Sequence, residues 1–172
     1  FAVTGMLGAN VTSPAAARGN LDADVEDTLR QFHSQIAGTR ELVADAAAVL
    51  VFPNVVKAGI GIGGEYGEGA LLARGRAPEY YNTVSASFGF QLGAQARSII
   101  IVFMTQGALD GFQRIDGWRV GVDGSITLIN VGAAGSVDTS RIGNPIVGFI
   151  FDGKGLMYNL TLEGTKISRM SR

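Results

Sequence analysis

The sequence predicts an α+β fold, with N-terminal helices packed on a strongly bent, mostly antiparallel, glycine-rich sheet or barrel. Three observations carry this expectation. Apolar residues recur at helical spacing near the N-terminus, alternation with a period of two takes over from Val49, and Asp-Gly turns separate apolar runs near the C-terminus.

Residues 1–19 are small and lack a sustained period, with Ser13-Pro14 and Gly19 as punctuation, so they are expected to form a flexible leader or tether. The domain proper is expected over residues 20–172. Leu21, Val25, Leu29, Phe32 and Ile36 make the stripe of an amphipathic helix. Asn20 is its expected cap, and Asp22, Asp24, Glu26 and Asp27 fall in the turns where the helix dipole favours negative charge. Glu26 and Arg30 are spaced for an ion pair. Gly38 ends the helix, and Thr39 can cap a second one, RELVADAAAV.

VLVFP then reads as a helix end running into a strand stopped by Pro53. Ala58, Ile60 and Ile62 alternate with Gly59, Gly61 and Gly63, leaving one face bare, and ALLARGR is the expected return strand. In TVSASFGFQLGAQA the apolar Ala86, Phe88, Phe90, Leu92 and Ala94 share one face. SIIIVFMT has no polar face, so both its sides should be covered. A short helix, QGALDGFQR, follows. Two hairpins, WRVGV-DG-SITLINV and GFIF-DGKG-LMYNLTL, close the chain.

Composition narrows the function classes. The 172 residues suit one domain, 47% of them are apolar and 17% charged, and the net charge is −1. A disordered polyelectrolyte and a nucleic-acid surface, which needs a basic stripe, are both disfavoured. Cysteine is absent, which removes disulfides and thiolate chemistry. No apolar run, SIIIVFM at residues 98–104 included, approaches the ~18 residues of a membrane-spanning helix.

KAGIGIGGEYGEG, residues 57–69, holds six glycines, each costing about 0.5–1 kcal/mol against alanine in a regular element. Gly59, Gly61 and Gly64 satisfy G-x-G-x-x-G, with Glu79 twenty residues past the first. A dinucleotide site needs a helix opening at the third glycine, and EYGEGALL does not offer one. The expected role is a strand that another group approaches closely, with Gly59, Gly61 and Gly63 as the close-approach positions. That group is either the protein's own Phe88 or Trp118, or an acyl chain or headgroup.

No catalytic residue, metal site or cofactor is expected. The lone His33 reads as a solvated surface residue, no serine sits in G-x-S-x-G, and no metal-ligand spacing occurs. Glu65 and Glu68 are the one close carboxylate pair in the glycine run, and their spacing in a strand points them away from each other.

VLVFPNVVKAGIGIGGEYGEGALL, then YYNTVSASFGFQLGAQARSIIIVF, a tryptophan before GVDGSITL, and GLMYNLTLEGTKI together resemble the SYLF domain, over roughly residues 22–170. The resemblance implies lipid binding. Eukaryotic members are phosphoinositide-binding, membrane-associated adaptors, some of which bind actin. Bacterial members are commonly standalone envelope domains, often lipoproteins. This chain, without an SH3 or FYVE module, looks like the bacterial kind, which implies a periplasmic or outer-membrane address and a leader suited to tethering. It departs from the family where the eukaryotic N-terminal segment is basic, since Asp22, Asp24, Glu26 and Asp27 stand there instead. An anionic membrane would repel them.

Lys57, Arg74, Arg76 and Arg97 are the expected lipid-binding residues, because arginine's planar fork suits phosphate oxygens. If the strands pair as read, Lys57 is expected to meet the Arg74/Arg76 end at one edge. The alternative is ordinary rim salt bridges with Glu65, Glu68 or Glu79. The partner is then a phospholipid headgroup or membrane surface, or, if lipid is not recognised, another envelope protein.

Overall fold

The computed structural model describes residues 14–58, 64–86, 96–129, 143–153, 155–157 and 160–170. Helix α1 (Pro14–Gln35) is followed by α2 (Thr39–Asp45), then by β1 (Ala48–Ala58), β2 (Gly64–Ala73), β3 (Glu79–Ala86) and β4 (Arg97–Phe103). Helix α3 (Gln106–Arg114) leads to the short strands β5 (Trp118–Arg119) and β6 (Thr127–Leu128). Strands β7 (Ile146–Asp152), β8 (Gly155–Leu156) and β9 (Lys166–Arg169) complete the chain. The described strands form one curled sheet in the order β5-β9-β3-β2-β1-β4-β7-β6, with β8 paired to β7. Among the described residues every strand pairing is antiparallel except β6 with β7, so the architecture is the α+β one expected.

Strand β4 shows why the sheet lies in the middle of the molecule. Ile99, Ile101 and Phe103 enter one core with Leu109 and Phe112 of α3 and Trp118. Ile100 and Val102 enter the other with Val25 and Phe32 of α1 and Leu42 of α2. Both faces of its uniformly apolar run are therefore covered, as expected. On the α1 side, Phe32 meets Phe149 edge-on at 4.7 Å and stacks on Phe151 at 5.7 Å. On the α3 side, Phe112 meets Trp118 edge-on at 5.5 Å.

Helix α1 begins at Pro14, six residues before the expected Asn20 cap. Proline suits a first helical turn, where its missing N–H would be unpaired anyway. The acidic residues are consequently not in the first turn. Arg30 pairs with Asp27 rather than Glu26. Helix α3 has the bounds read from sequence, and Thr105 Oγ1 caps it by accepting from Ala108 N at 3.1 Å.

Pro53 does not stop β1. The strand runs through it on a β-bulge, where residues 52–55 of β1 face only residues 67–69 of β2 and the β4 ladder slips between Phe52 and Val55. Proline has no N–H to give and fits where the ladder is broken, and Ser98 Oγ donates to its carbonyl at 2.8 Å. Opposite the bulge the chain needs glycine. A Cβ at Gly67 would lie 2.8 Å from Val55 Cγ2, and one at Gly69 would strike Val51 O and come within 2.6 Å of Phe52 Cδ1. Close approach to bare backbone is thus real at Gly67 and Gly69, and the approaching group is the protein's own strand. Gly59, Gly61 and Gly63 lie outside the described residues, as do Phe88, Phe90, Leu92 and Ala94.

One expected hairpin forms and the other does not. Phe151 pairs with Leu156 and Asp152 with Gly155, giving the tight β7–β8 hairpin. The Asp123-Gly124 turn instead closes back on Arg119, whose N–H donates to Asp123 Oδ2 at 2.7 Å while Asp123 N donates to Arg119 O at 2.9 Å. Core burial wins over the local turn signal. Trp118 goes into the α3-side core and presses on Gly124, where a Cβ would sit 2.6 Å from its ring. Beyond the turn, β6 leaves to run parallel to β7, where Gly148 makes room for Ile126 and Leu128.

Candidate functional site

The β1–β2 hairpin separates the four predicted lipid-binding residues into two groups. Lys57 lies opposite Glu65, and Arg97 opposite Val55, at the end where β2 begins. Arg74 and Arg76 sit in the turn after β2, nine and eleven residues beyond Glu65. At ~3.3 Å per residue the first of these gaps is about 30 Å of strand. The strands pair antiparallel as read, but antiparallel pairing puts Lys57 and the Arg74/Arg76 turn at opposite ends, so they do not meet at one edge.

Arg97 is not a free cation. Its guanidinium donates to Glu65 Oε1, the two side chains being only 10% and 7% exposed, and Ser85 Oγ donates to the same oxygen at 3.4 Å. Glu65 is therefore a buried partner and not a rim charge. Its neighbour in the glycine run, Glu68, is exposed and lies on the other face of β2, where Tyr66 Oη donates to it at 2.9 Å. The two carboxylates point to opposite sides of the sheet, as their spacing suggested, and cannot flank a common bond.

Arg74 occupies a different setting. Its Nη2 donates at 2.8 Å to Ala44 O, a carbonyl in the last turn of α2 that has no helical partner of its own. Beside it opens a cavity of about 340 Å³ between α1, α2, β1 and β2, walled by Leu29, Val43, Ala46, Val49, Leu72 and Ala73. Arg74 stands on its rim, and Arg76 is exposed two residues further along the same turn. The arrangement, a small apolar groove with a guanidinium at its mouth, can hold an apolar chain and a negatively charged head together. Sequence reasoning found the arginines but missed the groove. The signal available was the run of small residues from Ala44 to Ala48, which leaves the space open where larger side chains would fill it.

His33 is half-buried rather than solvated. Its Nδ1 lies 2.8 Å from Thr39 Oγ1, which itself donates to Ile36 O at 2.9 Å. Thr39 has one hydroxyl proton and has spent it, so the imidazole must be the donor, with its proton on Nδ1. Burial, then the nearby Arg40, hold its pKa below the ordinary value.

Residues 84–172 match the family described as Ysc84, Las17-binding protein actin regulator. The match takes in just over half of the chain, from the end of β3 through β4, α3 and β7 to the C-terminus. The chain belongs to this SYLF-domain family. It is a family of binding modules, which agrees with a site made of a groove and a cation. No curated protein matches the chain.

Proposed function

We propose that this SYLF-domain chain is a non-enzymatic lipid-binding protein of the bacterial cell envelope, carried there in the periplasm or on the outer membrane. One observation carries the reading: the 340 Å³ apolar groove with Arg74 on its rim. Its volume falls within the ~300–1,000 Å³ of ordinary ligand sites. An acyl segment suits the walls formed by Leu29, Val43 and Leu72. A phosphate-bearing head then emerges beside Arg74, whose bond to Ala44 uses one of its donors, and Arg76 is placed to join it. Lys57 and Arg97 take no part in this version of the site.

The test is vesicle flotation with anionic and with zwitterionic phospholipid. Association is expected with the anionic vesicles, weakening as salt is raised, and falling about tenfold in Arg74→Ala plus Arg76→Ala, the loss of roughly 1.4 kcal/mol. Undiminished association of the double variant rejects the assignment to this groove, and no association at low salt rejects lipid recognition altogether. The family's description names protein binding, which supports a second reading as a protein-interaction module of the envelope. Retention of a partner in a pull-down from delipidated envelopes favours it over the first.

A further inference from the structure

The acidic run of α1 loses its sequence-level explanation once the helix is seen to begin at Pro14. Dipole stabilisation fades within the first turn, and Asp22, Asp24 and Asp27 lie beyond it. Asp22 accepts from Tyr80 Oη at 3.0 Å and Asp27 pairs with Arg30. Asp24 instead lines a cavity of about 490 Å³, with Leu21, Pro53, Val56, Tyr66 and Glu68 among its other walls. A second cavity of about 240 Å³ shares Asp24, Pro53 and Asn54 with it and adds Asp27 and Asp152. The two make one groove over the Pro53 bulge, and every charged side chain on its described walls is acidic.

The walls of this groove include Val56 and Tyr66, and the apolar strip that they begin runs on beyond it to Val84. Val56 pairs with Tyr66 and Tyr66 with Val84, so the three form a row across β1, β2 and β3. Helix α1 covers the same face further along, over Ala70, Leu72 and Tyr80, but leaves this row open: Val56 is 40% and Val84 47% exposed. Three strands at ~4.8 Å spacing give a strip about 10 Å long, longer than a single ammonium group. The Tyr66 hydroxyl holds the Glu68 carboxylate beside the strip, and the tyrosine ring can itself receive a cation. An anionic membrane is repelled from such a surface, whereas a positively charged partner is drawn to it.

We propose that the Val56–Tyr66–Val84 row, bordered by Asp24 and Glu68, docks a partner protein through an apolar segment that carries lysine or arginine. The site is at the opposite end of the β1–β2 hairpin from the Arg74 groove and does not depend on lipid recognition there.

The experiment titrates the ¹⁵N-labelled full chain with a synthetic peptide of alternating lysine and valine, and with its glutamate counterpart. The lysine peptide is expected to shift the amides of Val56, Tyr66, Glu68 and Val84, more at low salt than at high, and the glutamate peptide to leave them in place. Asp24→Asn plus Glu68→Gln should weaken binding at least about tenfold, and Val84→Ser should weaken it as well. Arg74→Ala plus Arg76→Ala should leave it unchanged, which separates this site from the lipid groove. Unchanged thermal midpoints keep a folding defect from imitating the result. Shifts mapping elsewhere, equal response to both peptides, or undiminished binding by the charge-neutral variant overturns the proposal. So does sedimentation showing that a second copy of the chain already occupies the row.

Discussion

The two ends of the β1–β2 hairpin obey opposite rules. Around Ala48 and Ala73 the apolar side chains are inside and the charges, Arg74 and Arg76, are outside. Around Val56 and Glu65 the arrangement is inverted, with an Arg97–Glu65 pair buried and Val56 and Val84 in contact with solvent. The difference teaches where the chain is serving something other than its own stability. A buried ion pair is an expensive way to fill a core, and exposed apolar rows tend to mark contact surfaces. Departures from the usual inside-out rule concentrate where a fold is built for recognition.

The largest expected effect breaks the inverted end. Glu65→Leu leaves the Arg97 charge buried without its partner and should lower stability by about 3–5 kcal/mol in urea unfolding. Glu65→Leu with Arg97→Met should recover most of that loss. If the double variant is as unstable as the single, the pair is not the source of the cost.

Next comes the strand between the two ends. Gly69→Ala drives a Cβ into the β1 backbone at Val51 and should cost about 1–3 kcal/mol or more. Gly111→Ala, in α3 with open space around the added carbon, should stabilise by about 0.4–1 kcal/mol. Equal effects at the two glycines would mean that the bulge does not press on β2 as described.

The smallest effect sharpens the helical side. His33 has a lowered pKa in the folded chain, so the unfolded chain binds the proton more readily. Its contribution is complete above the ordinary value near 6.5 and shrinks as pH falls below it towards the folded pKa. His33→Gln should flatten the stability-versus-pH curve in that window, and an unchanged curve would assign the slope to other groups.

Much of this fold is legible in the residues alone. The α3 bounds match the short helix read over QGALDGFQR; β4 announces its two covered faces by having no polar position from Ile99 to Phe103; Asp152-Gly153 signals the β7–β8 hairpin. What is hidden depends on partners distant in sequence. Asp123-Gly124 carries the same hairpin signal, yet the burial of Trp118 against β9 redirects the chain. Pro53 reads as a stop, and only the glycines across from it on β2 show that the strand can carry a bulge there. The site was half legible: the arginines are visible as residue types, but which one is committed to Glu65 and which stands at a groove follows from strand register. A sequence does not print that register.

The extra residue in β1 also fixes which way the rest of that strand faces. Removing Asn54 would turn the next two residues over, sending Val55 outward and Val56 inward. One deleted codon would thus exchange the sides on which these two valines of β1 lie, while the register ahead of the bulge, from Ala48 to Val51, stays as it is.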